Sequence, residues 1–267
     1  MNTQQDFINE ICAEENIAVE SLSKGYILRL AKNGITCNIA GPYWDINSAA
    51  SDRIACDKYG CYIVLNQNGI PAIEHELIFN PLRRGDWAGT EGVWTKVLAY
   101  FNAHNQKIVV KSNQGWGGHD VHYCETPAAL EQAVHEIFAK YPDAALSPYH
   151  EIKTEYRVFY FQGQTPLAYG KTKGEDWKHN LAHGAKAFEL ADEKLLASLK
   201  SLAARAASCI GITFATIDIA ELETGELSVM EINAGVQARF LADQHPHLRS
   251  TIKNIYTQAI LHMLKKG

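Results

Sequence analysis

The side chains best placed to do chemistry lie in "FATIDIAELETGELSVMEINAG", residues 214–235. Two runs rich in β-branched residues flank Thr224-Gly225, the sign of a hairpin. An even-length hairpin centred on that pair sets Asp218 opposite Glu231 and Thr216 opposite Asn233. Side chains alternate along a strand, so Asp218, Glu231 and Asn233 share one face while Ile217, Ile219 and Ile232 turn toward a core. Directly opposed residues have Cβ atoms about 5 Å apart, and two carboxylates at that distance repel. A divalent cation bridging them, with the Asn233 amide oxygen as a third donor, removes the repulsion. Mg²⁺ suits the pattern, because it takes one or two carboxylates and fills its other positions with water and phosphate oxygens. A solvated acidic face is the competing reading, and an odd-length turn would shift the register by one.

A second stretch, "KSNQGWGGHDV" at 111–121, follows the apolar run "KIVV" and sets Gly115, Gly117 and Gly118 around Trp116. Ordering three glycines is entropically costly. Glycine amides can approach phosphate closely and form an anion nest. The pattern is neither G-x-x-x-x-G-K-[ST] nor G-x-G-x-x-G, so it predicts neither a P-loop nor a Rossmann site. A simple hairpin turn remains the other reading of these residues. Metal-binding carboxylates and a glycine loop after a lysine together suggest a nucleoside triphosphate.

These groups need a scaffold. Residues 4–14 read as a helix, "IAVESL" as a strand, and "YILRLAKNGITCNIAG" as two strands joined at Asn33-Gly34. A helix is predicted from Cys56 to Leu65, then an extended segment from Ile70 to Ile78, then a polar loop "PLRRGDWAGTEG". Val93, Trp94, Val97, Leu98 and Phe101 form one helical stripe, and Leu130, Ala133, Val134, Ile137 and Phe138 another. Strands follow near 144–150, 155–162 and 165–172, then a helix over 191–209, the metal hairpin, and a helix striped by Ile252, Ile255, Tyr256, Ala259, Ile260 and Met263. Strands and helices mix without strict alternation, which predicts an α+β fold with antiparallel sheets.

With 46% hydrophobic and 21% charged residues the chain has the composition of a globular protein with a real core. A net charge of -5 gives no electrostatic footprint for nucleic acid. No apolar run reaches the length of a membrane span, and "MNTQQDFINE" lacks the basic and apolar regions of a signal peptide. The six cysteines are scattered, as expected of reduced thiols in the cytoplasm. Cys56, Cys61 and His75 match no common zinc spacing. His245-Pro246-His247 and His119-x-x-His122 are read as loop histidines without a role.

The ordered set of motifs resembles the ATP-grasp superfamily, and most of all its carboxylate–amine ligase branch, which includes ribosomal-protein glutamate ligase, glutathione synthetase and D-alanine–D-alanine ligase. The resemblance runs from about residue 45 to 240. It rests on "SDRIACDKYGCYIVLNQNGIPAIEH", "IVVKSNQGWGGHDV", "EYRVFYFQG", "KTKGEDWKHNLAHGA" and "IDIAELETGELSVMEINA", in that order. It implies two α+β lobes with mainly antiparallel sheets clamping ATP. The expected division is a short N-terminal region at 1–55, a small lobe with the glycine lid at 56–150, and a large lobe with the metal hairpin at 151–267.

The resemblance also implies roles. Lys58 and Lys111 would bind the phosphates of ATP, and Gly115, Gly117 and Gly118 would close over them. The backbone from Tyr149 to Glu151 would hold the adenine edge and Glu155 the ribose. Arg157 would face the reacting carboxylate, while Lys171, Lys173 and Asn180 would line the γ-phosphate and that carboxylate. Asp218, Glu231 and Asn233 would hold Mg²⁺, or Mn²⁺ in its place.

The implied activity joins a small-molecule or peptide carboxylate to an amine through an acylphosphate, with no nucleic-acid or membrane partner and room for a homodimer. A phosphotransferase of the same fold and a non-catalytic nucleotide-binding module are the rivals. Two departures bear on the substrate. The family often continues N-A-S-P-G after the metal asparagine, whereas this chain reads "NAGVQARF", which puts Arg239 where it could pair with a substrate carboxylate. The region before Asp57 is also short for the family.

Overall fold

The computed structural model describes residues 3–88, 92–115, 117–174, 181 and 184–265. Three antiparallel sheets carry the fold. The first has four strands, β1 (Ala18–Leu22), β2 (Ile27–Lys32), β3 (Ile35–Ala40) and β4 (Tyr43–Trp44), behind helix α1 (Thr3–Glu14). Its central turn is the predicted one, with Asn33 at φ 52° and Gly34 at φ 79°, the two positive angles that a type I′ turn requires.

The helix expected from Cys56 to Leu65 is α3 (Lys58–Gln67), and a further helix, α2 (Ala49–Cys56), precedes it. Asp57 divides them at φ -97° and ψ 105°, and its carboxylate accepts the Gly60 amide at 2.7 Å. An aspartate gains more as an N-cap than inside a helix, where its side chain competes with the backbone. The break leaves Lys58 at the first turn of α3, facing the glycine loop.

The small sheet has the order β5-β8-β6-β7, formed by β5 (Glu76–Phe79), β6 (Ile108–Lys111), β7 (Val121–Cys124) and β8 (Asp143–Pro148). The "PLRRGDWAGTEG" segment contains one short helical turn, α4 (Gly85–Ala88). Helices α5 (Val93–Ala103) and α6 (Pro127–Lys140) turn their predicted stripes onto this sheet, and Val97, Phe101, Leu130, Val134 and Ile137 are buried in a core of its own. Strand β7 is an addition to the sequence reading. At four residues directly behind a glycine loop, it is too short for alternation to reveal.

The large sheet runs β11-β10-β9-β12-β13, with β9 (Ile152–Phe161), β10 (Gln164–Lys171), β11 (Ala187–Phe188), β12 (Phe214–Leu222) and β13 (Leu227–Asn233). Its two faces meet different cores. Tyr156, Val158, Ile217, Ile219 and Ile232 pack with α2, α3 and α7 (Glu193–Cys209). Phe159, Phe161, Tyr169 and Phe214 pack with α1, the first sheet and α9 (Arg249–Met263). By strand alternation Glu155 and Arg157 continue this second face beyond the apolar cover.

The metal hairpin differs from the even-length expectation near its turn. Glu221 pairs with Leu227 and Ile219 with Val229, one residue out of the predicted register. The extra residue Met230 forms a bulge, and beyond it Asp218 pairs with Glu231 and Thr216 with Asn233. The odd turn and the bulge cancel, which is how a bulge re-aims side chains on one strand.

Asn47 ties the N-terminal segment to the large sheet. Its Oδ1 accepts the amides of Thr213 and Phe214, both at 2.9 Å, and its Nδ2 donates to the Phe214 carbonyl at 2.9 Å. Asn47→Ala would strand two amides and one carbonyl, so urea unfolding should show a loss of about 2–3 kcal/mol. A loss below about 0.5 kcal/mol would mean that water replaces this clamp.

Candidate active site

The polar face of the large sheet gathers its charges by strand pairing. Arg157 on β9 lies opposite Asp218 on β12, Asp218 lies opposite Glu231 on β13, and Glu155 on β9 lies opposite Lys171 on β10. Arg157 holds Asp218 bidentately, donating Nε to Oδ1 at 2.7 Å and Nη2 to Oδ2 at 2.6 Å. Lys171 donates to Asp218 Oδ1 at 3.1 Å and also pairs with Glu155. Asn233 Nδ2 donates to Asp218 Oδ2 at 3.1 Å. Lys171, Asp218 and Glu155 are only 3%, 5% and 8% exposed.

Two cations therefore meet two buried carboxylates, with Lys171 buried and Arg157 half-buried, and the formal charges balance. Burial pushes Asp218 toward its acid form, but the Arg157 guanidinium and then Lys171 reverse this and hold the carboxyl well below the usual range. Lys171 feels burial and Arg157 as lowering influences. Asp218 and Glu155 overcome them, so its ammonium titrates above its ordinary value.

The second charge group lies where the small sheet meets α3. Lys58 donates to the Gly115 carbonyl at 2.7 Å and to the Asn113 carbonyl at 3.4 Å. The Asn113 side chain accepts the Tyr59 amide at 3.1 Å, and Arg53 reaches Gln114 Oε1 at 3.2 Å. The glycine loop thus rests on the start of α3 and the end of α2. A Cβ at Gly115 would collide with Ser112 Oγ, and Gly117 and Gly118 hold φ of 69° and 74°, so the backbone here demands glycine. Trp116 lies outside the described residues. Lys111, at the end of β6, is pushed down to about 8 by burial and then by the Lys58 charge, with Glu231 opposing. Lys58 and Lys111 are half-buried, and a cationic pair with one carboxylate for company is an incomplete charge set that an anion would complete.

A small cavity between α3 and β13 is lined by Lys58, Cys61, His75 and Glu231. His75 is buried, with Nδ1 at 2.9 Å from the Ile73 carbonyl and Nε2 unpartnered. Burial, then Lys111, lowers its pKa, so the ring is neutral, donates from Nδ1 and keeps a lone pair on Nε2. Sequence reasoning gave His75 no place in the site. Its only signal was a position four residues after the Gly69-Ile70-Pro71 turn.

A family described as an ATP-grasp domain, the third family of its clade, matches residues 103–254, more than half of the chain. The chain belongs to this ATP-grasp family. Its fold is shared with the D-alanine–D-alanine ligase of Bacillus anthracis at TM-score 0.63 and 14% identity, over 83% of this chain and 72% of the other. The D-cycloserine synthetase DcsG aligns at TM-score 0.57 and 19% identity, over 78% and 70% of the two chains. The ATP-grasp ligase PsnB, bound to its minimal precursor, aligns at TM-score 0.54 and 17% identity, over 77% and 62%. No curated protein matches in sequence. Among the described residues no helix is long and apolar enough to cross a membrane.

In this ATP-grasp frame the remaining predicted residues fall as follows. The Tyr149 amide donates to the Lys107 carbonyl at 3.0 Å, and its ring lies 4.4 Å from that of Tyr123. Glu151 is exposed, and its carbonyl accepts the Glu223 amide at 3.2 Å. Glu155, expected at the ribose, is buried against Lys171. Arg157, expected to face a substrate carboxylate, is bound to Asp218. Lys173 is exposed beyond β10, and Asn180 lies outside the described residues. Arg239 is exposed at the start of α8 (Arg239–Gln244) and pairs with Asp243 at 3.6 Å.

The donor set of Glu231, Asn233 and Asp218 is all oxygen and suits a hard cation. Among the described residues no hydrogen bond or ion pair engages the Glu231 carboxylate. Asp218 has both oxygens engaged by Arg157, Lys171 and Asn233, so a metal there shares it with those donors.

The lowered Lys111 pKa has a signed consequence. Between about pH 8 and 10.5 the unfolded chain keeps a proton that folded Lys111 has released, so this residue's contribution to stability rises with pH in that window. The stability difference between wild type and Lys111→Met, read from urea midpoints, should therefore grow in favour of wild type from pH 7.5 to 10. A flat difference would place Lys111 in water.

Proposed function

We propose that this ATP-grasp protein is an ATP- and Mg²⁺-dependent carboxylate–amine ligase that forms an amide or peptide bond through an acylphosphate and releases ADP and phosphate. The observation that carries the reading is the approach of Lys58 and Glu231, far apart in sequence, across one small cavity, with Lys111 near enough to feel both charges and the glycine loop resting on Lys58. A triphosphate's negative charge completes that set. Named ligases among the fold's relatives support the reaction class.

Lys58 and Lys111 bind the phosphates, and the loop from Gly115 to Gly118 covers them and excludes water, which an acylphosphate requires. Backbone from Tyr149 to Glu151 holds the adenine edge. Glu231, Asn233 and Asp218 would hold Mg²⁺, which supplies positive charge to the β- and γ-phosphates. Glu155 orients Lys171 rather than contacting the ribose. Lys171 and Arg157 keep their charge against the reacting groups without reorganising, the condition under which fixed charges stabilise a transition state best. A carboxylate oxygen of the acid attacks the γ-phosphorus and ADP leaves. The amine then attacks the activated carbonyl, and phosphate leaves from the tetrahedral intermediate. Lys173, Asn180 and Arg239 are the side chains proposed for the acid and amine ends of the cleft.

Glu231→Gln should cut Mg²⁺-dependent ADP release by about 10²–10³ while the urea midpoint stays near wild type, because Glu231 supports no hydrogen bond among the described residues. Near-normal turnover with an unchanged Mg²⁺ requirement would remove Glu231 from the site. The reaction class is tested by ADP release from a pool of amino acids and dipeptides. Release should require both an acid and an amine, and hydroxylamine in place of the amine should yield a hydroxamate. A stable phosphorylated product without hydroxamate would instead identify a phosphotransferase.

A further inference from the structure

A cluster of metal-ligating side chains lies outside the cleft. Glu189, His245 and His247 bring one carboxylate oxygen and two imidazole nitrogens within 4.8 Å of one another. Glu189 follows the edge strand β11, whereas both histidines sit between α8 and α9, 56 and 58 residues away in sequence as His245 and His247. The fold, not local sequence, assembles the three. The cluster is also separate from the cleft. Strand β11 is one edge of the large sheet and β13, which carries Glu231, is the other. Four strand spacings of about 4.8 Å put the two edges roughly 19 Å apart.

We propose that Glu189, His245 and His247 bind one transition-metal ion of the zinc class. Two features beyond proximity support it. His245 Nε2 lies 2.9 Å from the Ala187 carbonyl. A carbonyl only accepts, so Nε2 carries the proton and Nδ1 keeps its lone pair. Metal-bound histidines are oriented in this way, by donating their other ring N–H to a carbonyl or carboxylate. His247 Nε2 lies 2.8 Å from Glu189 Oε1. Two ligands on one tetrahedral ion with bonds of about 2.0–2.1 Å lie about 3.3–3.4 Å apart, so a metal replaces the shared proton once these two exposed side chains part by about half an ångström. Imidazole with carboxylate is a donor set suited to Zn²⁺, Cu²⁺ or Ni²⁺ rather than Mg²⁺.

Such an ion would act as a clip. Strand β11 has only two residues and pairs on one side. The segment after the substrate-facing "NAGVQARF" already grips it: Gln244 Oε1 accepts the Ala187 amide at 2.7 Å and Gln244 Nε2 donates to the Ala185 carbonyl at 3.3 Å. Residues 185–189 follow directly on 180–184 in sequence, so a bound ion fixes the chain leaving that stretch to the chain beyond the metal asparagine.

The test is a zinc titration of the full chain against a chromophoric chelator, with excess Mg²⁺ present to occupy the cleft. Wild type should hold one equivalent of Zn²⁺ that His245→Gln/His247→Gln lacks, and Zn²⁺ should slow amide exchange of residues 184–190 in wild type alone. Should that pair disturb folding, Glu189→Gln/His247→Gln serves, because those side chains are 59% and 58% exposed. Equal zinc affinity in wild type and a folded double variant overturns the proposal, as does unchanged exchange of 184–190. Neither readout needs ATP or turnover, so the outcome is independent of the ligase reading.

Discussion

The site depends on one buried carboxylate. Asp218 accepts both arms of Arg157, the ammonium of Lys171 and the amide of Asn233, so three strands of the large sheet converge on a single charged group. Isolated charges are costly in such a place, and a pair is tolerable only when geometry is good and the remaining lone pairs are satisfied. Here the second carboxylate, Glu155, balances the second cation. The sheet can therefore present a dense array of charge to a substrate and still fold without one.

The opposite wall is built differently. Lys58 and Lys111 face one nearby carboxylate, Glu231, and Lys111 is lowered to about 8 by burial and its neighbour. The balanced cluster gives this face rigidity, and the unbalanced pair gives it an appetite for anions. Asp57 links this arrangement to the backbone. Capping α3, it starts a new helix at Lys58 and points that residue at the glycine loop, whose carbonyls at Asn113 and Gly115 hold the ammonium. The Glu189, His245 and His247 cluster lies on the far edge of the same sheet, where a bound ion would tie β11 to the turn between α8 and α9.

Much of this was legible in sequence because strand alternation is a strict rule. The opposition of Asp218 and Glu231 followed from a hairpin turn and parity alone. It survived an odd turn only because Met230 bulges, and nothing in "LSVMEIN" marks Met230 as the extra residue. The helix beyond Asp57 was legible to within two residues at each end, whereas α2, only eight residues long, is too short for a stripe to declare itself. The cationic partners of Asp218 were beyond reach. Arg157 is 61 residues away, and only the pairing of β9 with β12, a tertiary choice, sets the two opposite. The resemblance alone gave Arg157 and Glu155 their ligand-binding roles, and in the fold each also holds a charge of the protein itself. His75 escaped because its importance lies in burial beside two lysines, which no local spacing encodes.

The most direct test of this account is a double-mutant cycle on the Asp218–Arg157 pair, followed by urea unfolding. Asp218→Asn leaves two cations, one buried and one half-buried, with one carboxylate, and Arg157→Met leaves two buried carboxylates with one cation, so each single change should cost about 3–5 kcal/mol. The double variant retains the neutral Lys171–Glu155 pair and should be more stable than the sum of the single losses by at least about 1.5 kcal/mol. Strict additivity, or single losses below about 1 kcal/mol, would contradict the claim that a closed charge balance around Asp218 holds the site together.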